Sequence, residues 1–87
     1  MKLNPKFLMH ETGGVHYIVS TDSTRFNGMV KCNETTAFIA ECLKTDTTER
    51  KITDQVLAKY SGADRETVAR DVARVIGKLR SIGAVIE

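Results

Sequence analysis

The stretch FNGMVKCNETTAFIAECL, residues 26–43, predicts a short strand that runs without a spacer into a helix. Two apolar residues and a cysteine occupy strand-compatible positions from Met29 to Cys32. Asn33 is suited to cap the helix, because its side-chain oxygen can accept from the free N–H groups of the first turn. The helix buries one face, whose members recur at spacings of three and four residues: Phe38, Ile39, Cys42 and Leu43.

The length and composition predict one small folded domain over residues 1–87. Hydrophobic residues make up 41% of the chain and charged residues 28%, which is typical of a folded protein. Thirteen basic residues against eleven acidic ones give a net charge of +2, which neither requires nor excludes nucleic acid. The sequence has no stretch long enough to span a membrane and no signal peptide, so we expect a cytoplasmic protein without a membrane partner.

Gly13-Gly14 predicts a two-residue hairpin turn between strands at Lys6–Thr12 and Val15–Ser20. That turn pairs Thr12 with Val15, Glu11 with His16, and His10 with Tyr17. His10 and His16 then lie on opposite faces of the sheet, because side chains alternate along a strand. A metal ion shared by the two histidines is therefore not expected.

A third strand at about Gly28–Cys32 should lie antiparallel to the second. Asn27-Gly28 is either the turn that precedes it or a kink within a longer loop, and the residues alone leave both open. Alternation places one set of side chains on one face, namely Phe26, Val30 and Cys32, and Met29 and Lys31 on the other.

Two further helices follow a polar loop at Thr45–Arg50. Thr53 is the predicted N-cap of the second helix, with Ile52 packing on Leu57 as a hydrophobic staple. Ser61-Gly62-Ala63 ends that helix. The third helix is capped by Asp64, runs to about Ile82 and ends at Gly83, and a short apolar tail at Ala84–Ile86 docks on the domain.

The third helix carries two stripes of side chains. A continuous apolar stripe is predicted to form the core: Val68, Val72, Val75, Leu79 and Ile82. A second stripe, mostly of small residues, runs beside it: Ala69, Ala73, Ile76 and Gly77, with Arg80 near its end. That flank either lets another element pack closely or forms a groove for a guest chain, and the residues alone favour close packing. Arg70, Arg74 and Lys78 are predicted to form a solvated face.

The two cysteines do not form a C-x-x-C pair. Cys42 falls on the apolar face of the first helix, so a buried reduced thiol is the favoured interpretation and a structural disulfide with Cys32 the alternative. No catalytic motif is present, and neither an enzyme nor a metal or cofactor is expected.

A helix–turn–helix transcription regulator that binds DNA is the alternative function. Ser61-Gly62-Ala63 would be the turn and the third helix the reader. Acidic residues among the arginines of that helix would repel the DNA backbone: Asp64, Glu66 and Asp71. Only Ala84–Glu87 follows the helix, which is too short for the hairpin of a winged-helix reader.

From about Lys6 onward the chain resembles the PqqD family (pyrroloquinoline quinone biosynthesis protein D), the peptide-binding modules called RiPP recognition elements. The resemblance rests on the junction GMVKCNET at residues 28–35 with the helix after it, and on spaced positions further along: Phe38, Ile39, Thr53, Leu57, Tyr60, Asp71, Val72, Leu79 and Gly83. Cys32 departs from the leucine that the family usually has before the asparagine.

The resemblance implies an α+β, winged-helix-like domain with a three-stranded antiparallel sheet followed by three helices. It also implies a function, which is to hold the leader segment of a ribosomally made precursor peptide for a peptide-modifying enzyme. That partner is often a radical S-adenosylmethionine (SAM) enzyme, and a lasso-peptide leader peptidase is another. The leader would add as a strand beside the third strand and contact the third helix, at the following positions: Met29, Val30, Lys31, Cys32, Arg65, Ala69, Ala73, Ile76 and Arg80.

Overall fold

A computed structural model describes residues 1–21 and 29–87 of the chain. Its elements in order are β1 (Lys2–Leu3), β2 (Phe7–Thr12), β3 (Val15–Ser20), β4 (Met29–Cys32), α1 (Glu34–Cys42), α2 (Glu49–Lys59), α3 (Arg65–Ser81) and β5 (Val85–Ile86). The predicted three-stranded antiparallel sheet followed by three helices is confirmed. The predictions for Phe26 and for Asn27-Gly28 lie outside the described residues.

The main sheet has the order β2-β3-β4, and both pairings are antiparallel. The predicted hairpin register is confirmed, with Thr12 opposite Val15 and His10 opposite Tyr17. Gly13 has φ 58° and Gly14 has φ 81°. Two consecutive positive φ values define a type I′ turn, whose twist matches that of the strands and which glycine adopts without strain.

A second, two-stranded sheet joins the two ends of the described chain. Leu3 of β1 pairs with Val85 of β5, and Lys2 pairs with Ile86. The Met1 amino group lies 2.8 Å from an Asp46 carboxylate oxygen, which fixes β1 further. The C-terminal tail docks on the domain as predicted, but its pairing with β1 was not predicted, because two-residue strands carry no periodicity.

The junction between β4 and α1 forms as the sequence predicts. The Thr36 N–H donates to the Asn33 side-chain oxygen at 2.7 Å, so Asn33 is the N-cap of α1. Ile39 and Leu43 are fully buried beneath the sheet and the other helices. The cap therefore stops the strand and starts the helix at one residue.

The prediction for the start of α2 was wrong by five residues. The N-cap is Thr48, whose hydroxyl accepts from the Lys51 N–H at 3.2 Å. Thr53 lies inside the helix, where its hydroxyl donates to the Glu49 carbonyl at 2.8 Å. The predicted staple of Ile52 is therefore absent. Both threonines have sequence features of a cap, because each is followed directly by an acidic residue, Glu49 or Asp54.

The cap of α3 is Asp64 as predicted, and its carboxylate accepts from the Thr67 N–H at 3.1 Å. The helix ends before Gly83, whose φ is 81°. Its buried positions are Val68, Val72, Ile76 and Leu79. Val75 and Ile82 were predicted as core residues but are only partly buried. Within the described ranges, no helix combines the length and apolar character that a membrane span needs.

Replacing Thr48 with Ala should lower the free energy of unfolding by about 1 kcal/mol, because the first turn of α2 loses its side-chain acceptor. Thr45→Ala is the matched control, since Thr45 is exposed in the preceding loop. Urea unfolding monitored by circular dichroism measures both. Equal effects of the two changes would contradict the assignment of the cap.

Candidate functional site

The outer edge of β4 is the first feature of the candidate site. β4 ends the main sheet, and among the described residues no strand pairs with its outer edge. An edge strand presents backbone N–H and C=O groups that another extended chain can satisfy. Only every second residue of β4 points these groups outward, because backbone hydrogen bonding alternates along a strand.

The hairpin turn between β2 and β3 determines which residues of the sheet form hydrogen-bonded pairs. In a two-residue turn the flanking residues, Thr12 and Val15, exchange backbone hydrogen bonds, and bonded pairs then alternate along the ladder. Val15, Tyr17 and Val19 therefore direct their backbone groups toward β2. The residues between them, His16 and Ile18, direct theirs toward β4.

The same alternation continues into β4. His16 lies opposite Cys32 and Ile18 opposite Val30, so these two β4 residues bond to β3. Met29 and Lys31 lie between them and direct their N–H and C=O groups away from the sheet. The open edge thus offers the backbone of these two residues, whereas the sequence predicted contacts from all four.

A groove lies between β4 and α3. It encloses about 330 Å³ and is lined by Val30, Lys31, Cys32, Asn33, Thr36, Val75, Lys78 and Leu79. The strand and the helix form its two walls, and the first turn of α1 closes one end. Its floor is apolar, whereas Lys78 of α3 is exposed at its rim. The Lys31 side chain is also exposed, but by alternation it lies on the face of the sheet opposite Val30 and Cys32. An extended peptide on the edge of β4 would cover this groove with alternate side chains.

The predicted flank of α3 is not the wall of this groove. At about 100° per residue, Ala73 lies roughly 160° around the helix from Val75. Ala69 and Ala73 are exposed, and Ile76 is fully buried in the core. The prediction that Ile76 contacts a peptide is therefore corrected, because its side chain is inaccessible in the fold. Contacts at the two alanines stay predictions that the position of the groove does not favour.

The two predicted arginines are engaged elsewhere. Arg65 pairs with Asp54 of α2 at 2.6 Å, and Arg80 pairs with Glu87 at 2.7 Å. Neither lines the groove beside β4. Gly77, on the same flank, is exposed, and a Cβ there would meet no atom of the described residues within 4 Å. Among the described residues, nothing packs closely at Gly77, which contradicts the close-packing interpretation at that position, whereas Ile76 of the same flank does pack in the core.

Sequence reasoning missed the helix residues that do line the groove. Val75 was taken for core and Lys78 for part of a solvated face. The signal was present, because Asp71, Val75 and Lys78 share one face at helical spacing. What the sequence could not supply was the direction in which β4 lies from the helix.

Both cysteines are free and buried, which confirms the reduced-thiol interpretation. Burial raises the pKa of the Cys32 thiol, although the nearby Lys78 ammonium opposes this. Burial also raises the pKa of Cys42, and Glu41 adds to the effect. A thiol with a raised pKa holds little thiolate at neutral pH and is a poor nucleophile.

The two histidine rings each lie beside a polar side chain of the same hairpin. The His10 ring lies 2.7 Å from the Thr12 hydroxyl, and the His16 ring lies 3.6 Å from a Glu11 carboxylate oxygen. In the part of the chain that the structure describes, no three histidine, cysteine or acidic side chains are grouped to hold a metal ion.

Comparison with known proteins places this architecture in a family. The family described as "Coenzyme PQQ synthesis protein D (PqqD)" matches residues 7–85. The match covers most of the chain, and the protein belongs to the PqqD family. No curated protein sequence matches the chain.

Two solved structures share the fold. One is TbiB1 in complex with the TbiA(beta) leader peptide, with a TM-score of 0.80 at 19% identity, covering 97% of this chain and 93% of that one. The other is lasso peptide synthetase B1 complexed with the leader peptide, with a TM-score of 0.78 at 20% identity, covering 99% of this chain and 96% of that one. At this identity the likeness establishes the fold.

Alkylation by iodoacetamide at neutral pH should be at least about tenfold slower for both thiols in the folded protein than in urea, because burial limits both thiolate formation and access. Mass spectrometry of the digested protein resolves the two sites. A Cys32→Ser variant isolates Cys42 as a control. Rapid alkylation of either site in the folded protein would contradict its burial.

Proposed function

We propose that this protein is a RiPP recognition element that binds the leader segment of a ribosomally synthesised precursor peptide by strand addition to β4. The observation that carries the proposal is the open edge of β4 beside an apolar groove. Membership of the PqqD family supports it, as do the two solved structures of the same fold that contain leader peptides. Strand addition is an established mode of peptide recognition.

The energetics fit a reversible complex. Met29 and Lys31 offer about four outward backbone groups, and each hydrogen bond contributes about 1 kcal/mol net. Burial of about 200–300 Å² of apolar surface in the groove adds ~25 cal/mol per Å². The ordering of a flexible peptide opposes both terms. Affinity in the low-micromolar to submicromolar range is therefore the expected outcome.

The module supplies binding and no chemistry of its own in this proposal. Its partner is a peptide-modifying enzyme to which it presents the bound leader, and a radical SAM enzyme is the first candidate. A lasso-peptide leader peptidase is the second candidate, since one structural neighbour is a lasso peptide synthetase component.

A DNA-binding function receives little support from α3. Every arginine of this helix pairs with a carboxylate: Arg65 with Asp54, Arg70 with Glu66, Arg74 with Asp71, and Arg80 with Glu87. Phosphate binding would require these pairs to break, and the acidic partners would remain beside the DNA. The charge on the helix is therefore largely neutralised locally.

The precursor peptide encoded beside this gene should bind the purified protein, whereas duplex DNA at physiological salt should not. Fluorescence anisotropy with labelled peptide and labelled duplex measures both. Tight, salt-sensitive DNA binding without any affinity for the peptide would overturn the proposal in favour of a transcription regulator.

Lys31→Pro should weaken leader binding at least tenfold, about 1.4 kcal/mol, because it removes an outward N–H of the open edge. Lys31→Ala is the matched control, since it loses the same charge but keeps the N–H. Both variants should stay folded, because proline is tolerated on an edge strand where the N–H faces outward.

Equal affinities of the two Lys31 variants would contradict strand addition at this edge.

Ala73→Arg tests the flank predicted from sequence. Its binding should be unchanged, and a tenfold loss would return the peptide to that flank.

A further inference from the structure

The main sheet has an outer face, on the side away from the buried core. Ile18 and Cys32 point to the core side and are buried there. By alternation and the strand register, six side chains decide the character of the outer face: Leu8, His10, Val15, Tyr17, Val19 and Lys31. The groove beside β4 lies on the core side, with Val30 and Cys32, so the outer face is a separate surface.

The outer face is apolar where a solvated sheet face is normally polar. In an antiparallel sheet with one face in the core, strands alternate between apolar residues inside and polar residues outside. β3 departs from this pattern, because its outward residues include Val15, Tyr17 and Val19. Leu8 lies directly opposite Val19 and is 56% exposed, the one large apolar side chain found exposed in the described part of the chain.

The fold does not use these apolar residues in its core. Among the described residues, neither the buried core nor the partly buried apolar residues packed against it include Leu8, Val15, Tyr17 or Val19. An exposed apolar patch with a polar rim is typical of an interaction surface. The outer face is therefore available to a partner.

The charged groups of the outer face have one sign. Lys31 is exposed, and in the described part of the chain no carboxylate lies within ion-pairing distance of it. His10 lies in the same cross-strand row, with Tyr17 between them. Glu11 alternates to the other face, where it lies 3.6 Å from His16. A second copy of this face would bring like charges together, whereas a partner with an acidic rim would be attracted.

The size of the outer face limits what can dock on it. Three strands at about 4.8 Å spacing and six residues at about 3.3 Å per residue give roughly 300 Å². A stable protein–protein interface covers about 800 Å² on each partner. The face is therefore too small to hold a permanent dimer by itself, and it fits a transient contact with another protein.

A leader strand on β4 would widen the outer face. In an antiparallel pair, residues directly opposite each other place their side chains on the same side of the sheet. The leader residue opposite Lys31 would join the outer face, whereas its neighbours, opposite Val30 and Cys32, would enter the groove. A fourth strand adds about 5 Å, roughly a third of the width. A protein docked on the outer face would thus contact the leader and leave the edge of β4 free to hold it.

We propose that the outer face is the docking site of the peptide-modifying enzyme and that the bound leader completes it. The matching surface of the enzyme has an apolar centre, which covers Leu8, Tyr17 and Val19, and an acidic rim, which meets Lys31 and His10. This inference rests on the proposed function, which requires a second partner while the leader occupies β4. Enzyme and leader then bind cooperatively, because each adds contact area for the other, and the effect is reciprocal.

The apolar part of the inference is tested by Leu8→Glu. The probes are the peptide-modifying enzyme encoded beside this gene, immobilised for biolayer interferometry, and the leader segment of the neighbouring precursor without its core. The variant should bind the enzyme at least tenfold more weakly, because a carboxylate replaces the centre of the patch. Its leader affinity by fluorescence anisotropy should not change, since β3 separates Leu8 from the edge of β4. Unchanged leader affinity also shows that the variant is folded.

Two further variants make this result specific. Ala58→Glu is the matched control, because Ala58 is exposed on α2 and belongs to neither surface, and it should have little effect on enzyme binding. Leu8→Ser removes the apolar group without adding charge. It should weaken enzyme binding several-fold, which keeps the test decisive if the glutamate variant unfolds.

The charge of the rim and the part played by the leader are tested separately. His10→Glu should weaken enzyme binding and His10→Lys should strengthen it, and the difference should shrink at high salt because ions screen exposed charges. Saturating leader segment should tighten enzyme binding by the parent protein at least about threefold. The leader segment alone, without the protein, is the control for direct binding to the enzyme.

The outcomes separate this inference from the function on which it rests. If the parent protein binds no leader segment, the proposed function fails and the inference fails with it. If the parent binds leader but Leu8→Glu and Leu8→Ser bind the enzyme as tightly as it does, leader recognition stands and the docking face is wrong. Enzyme binding that the leader does not change would contradict the leader's part in the surface. A dimer of the parent in sedimentation velocity that Leu8→Glu dissociates would overturn the inference in favour of a second copy.

Discussion

The hydrogen-bond alternation set by the turn at Gly13-Gly14 determines what the open edge of the sheet can do. A two-residue turn makes Thr12 and Val15 a bonded pair, and every later pair inherits its state from that one. Through β3 this choice reaches β4, where Lys31 is left facing outward and Val30 faces inward. A turn that also took in Val15 would make His16 the flanking, bonded residue and would exchange these roles. The two glycines of the turn therefore decide which backbone groups a guest meets.

The second determinant is the abrupt change from β4 to α1 at Asn33. Because the residue directly after the strand caps the helix, α1 begins beside the sheet edge and its first turn closes one end of the groove. α3 then lines the groove with Val75 and Lys78, while its buried residues hold it against the core. The groove is thus a gap between β4 and α3, because the residues that hold α3 against the core lie on another part of the helix surface.

The sequence predicted the fold well because its signals are local. Gly13-Gly14, Asn33 and Asp64 each specify their turn or cap through neighbouring residues, and the structure contains all three. Thr48 and Thr53, five residues apart, are both plausible caps, and local preference could not separate them. The prediction that Ile76 contacts a peptide was wrong for another reason. The apolar residues of α3 cover a wide arc of the helix, and the sequence alone does not show which part of that arc is buried, because this depends on where the other elements pack.

Lys31 also bears on self-association at the open edge of the sheet. An unpaired strand edge invites pairing with a second copy of the same strand, the usual beginning of aggregation. Two copies of β4 aligned antiparallel about Lys31 would bring two ammonium groups face to face, which is unfavourable. An acidic guest strand meets the opposite condition. A single lysine on a four-residue strand can therefore disfavour pairing between two copies of the protein and favour pairing with an acidic peptide.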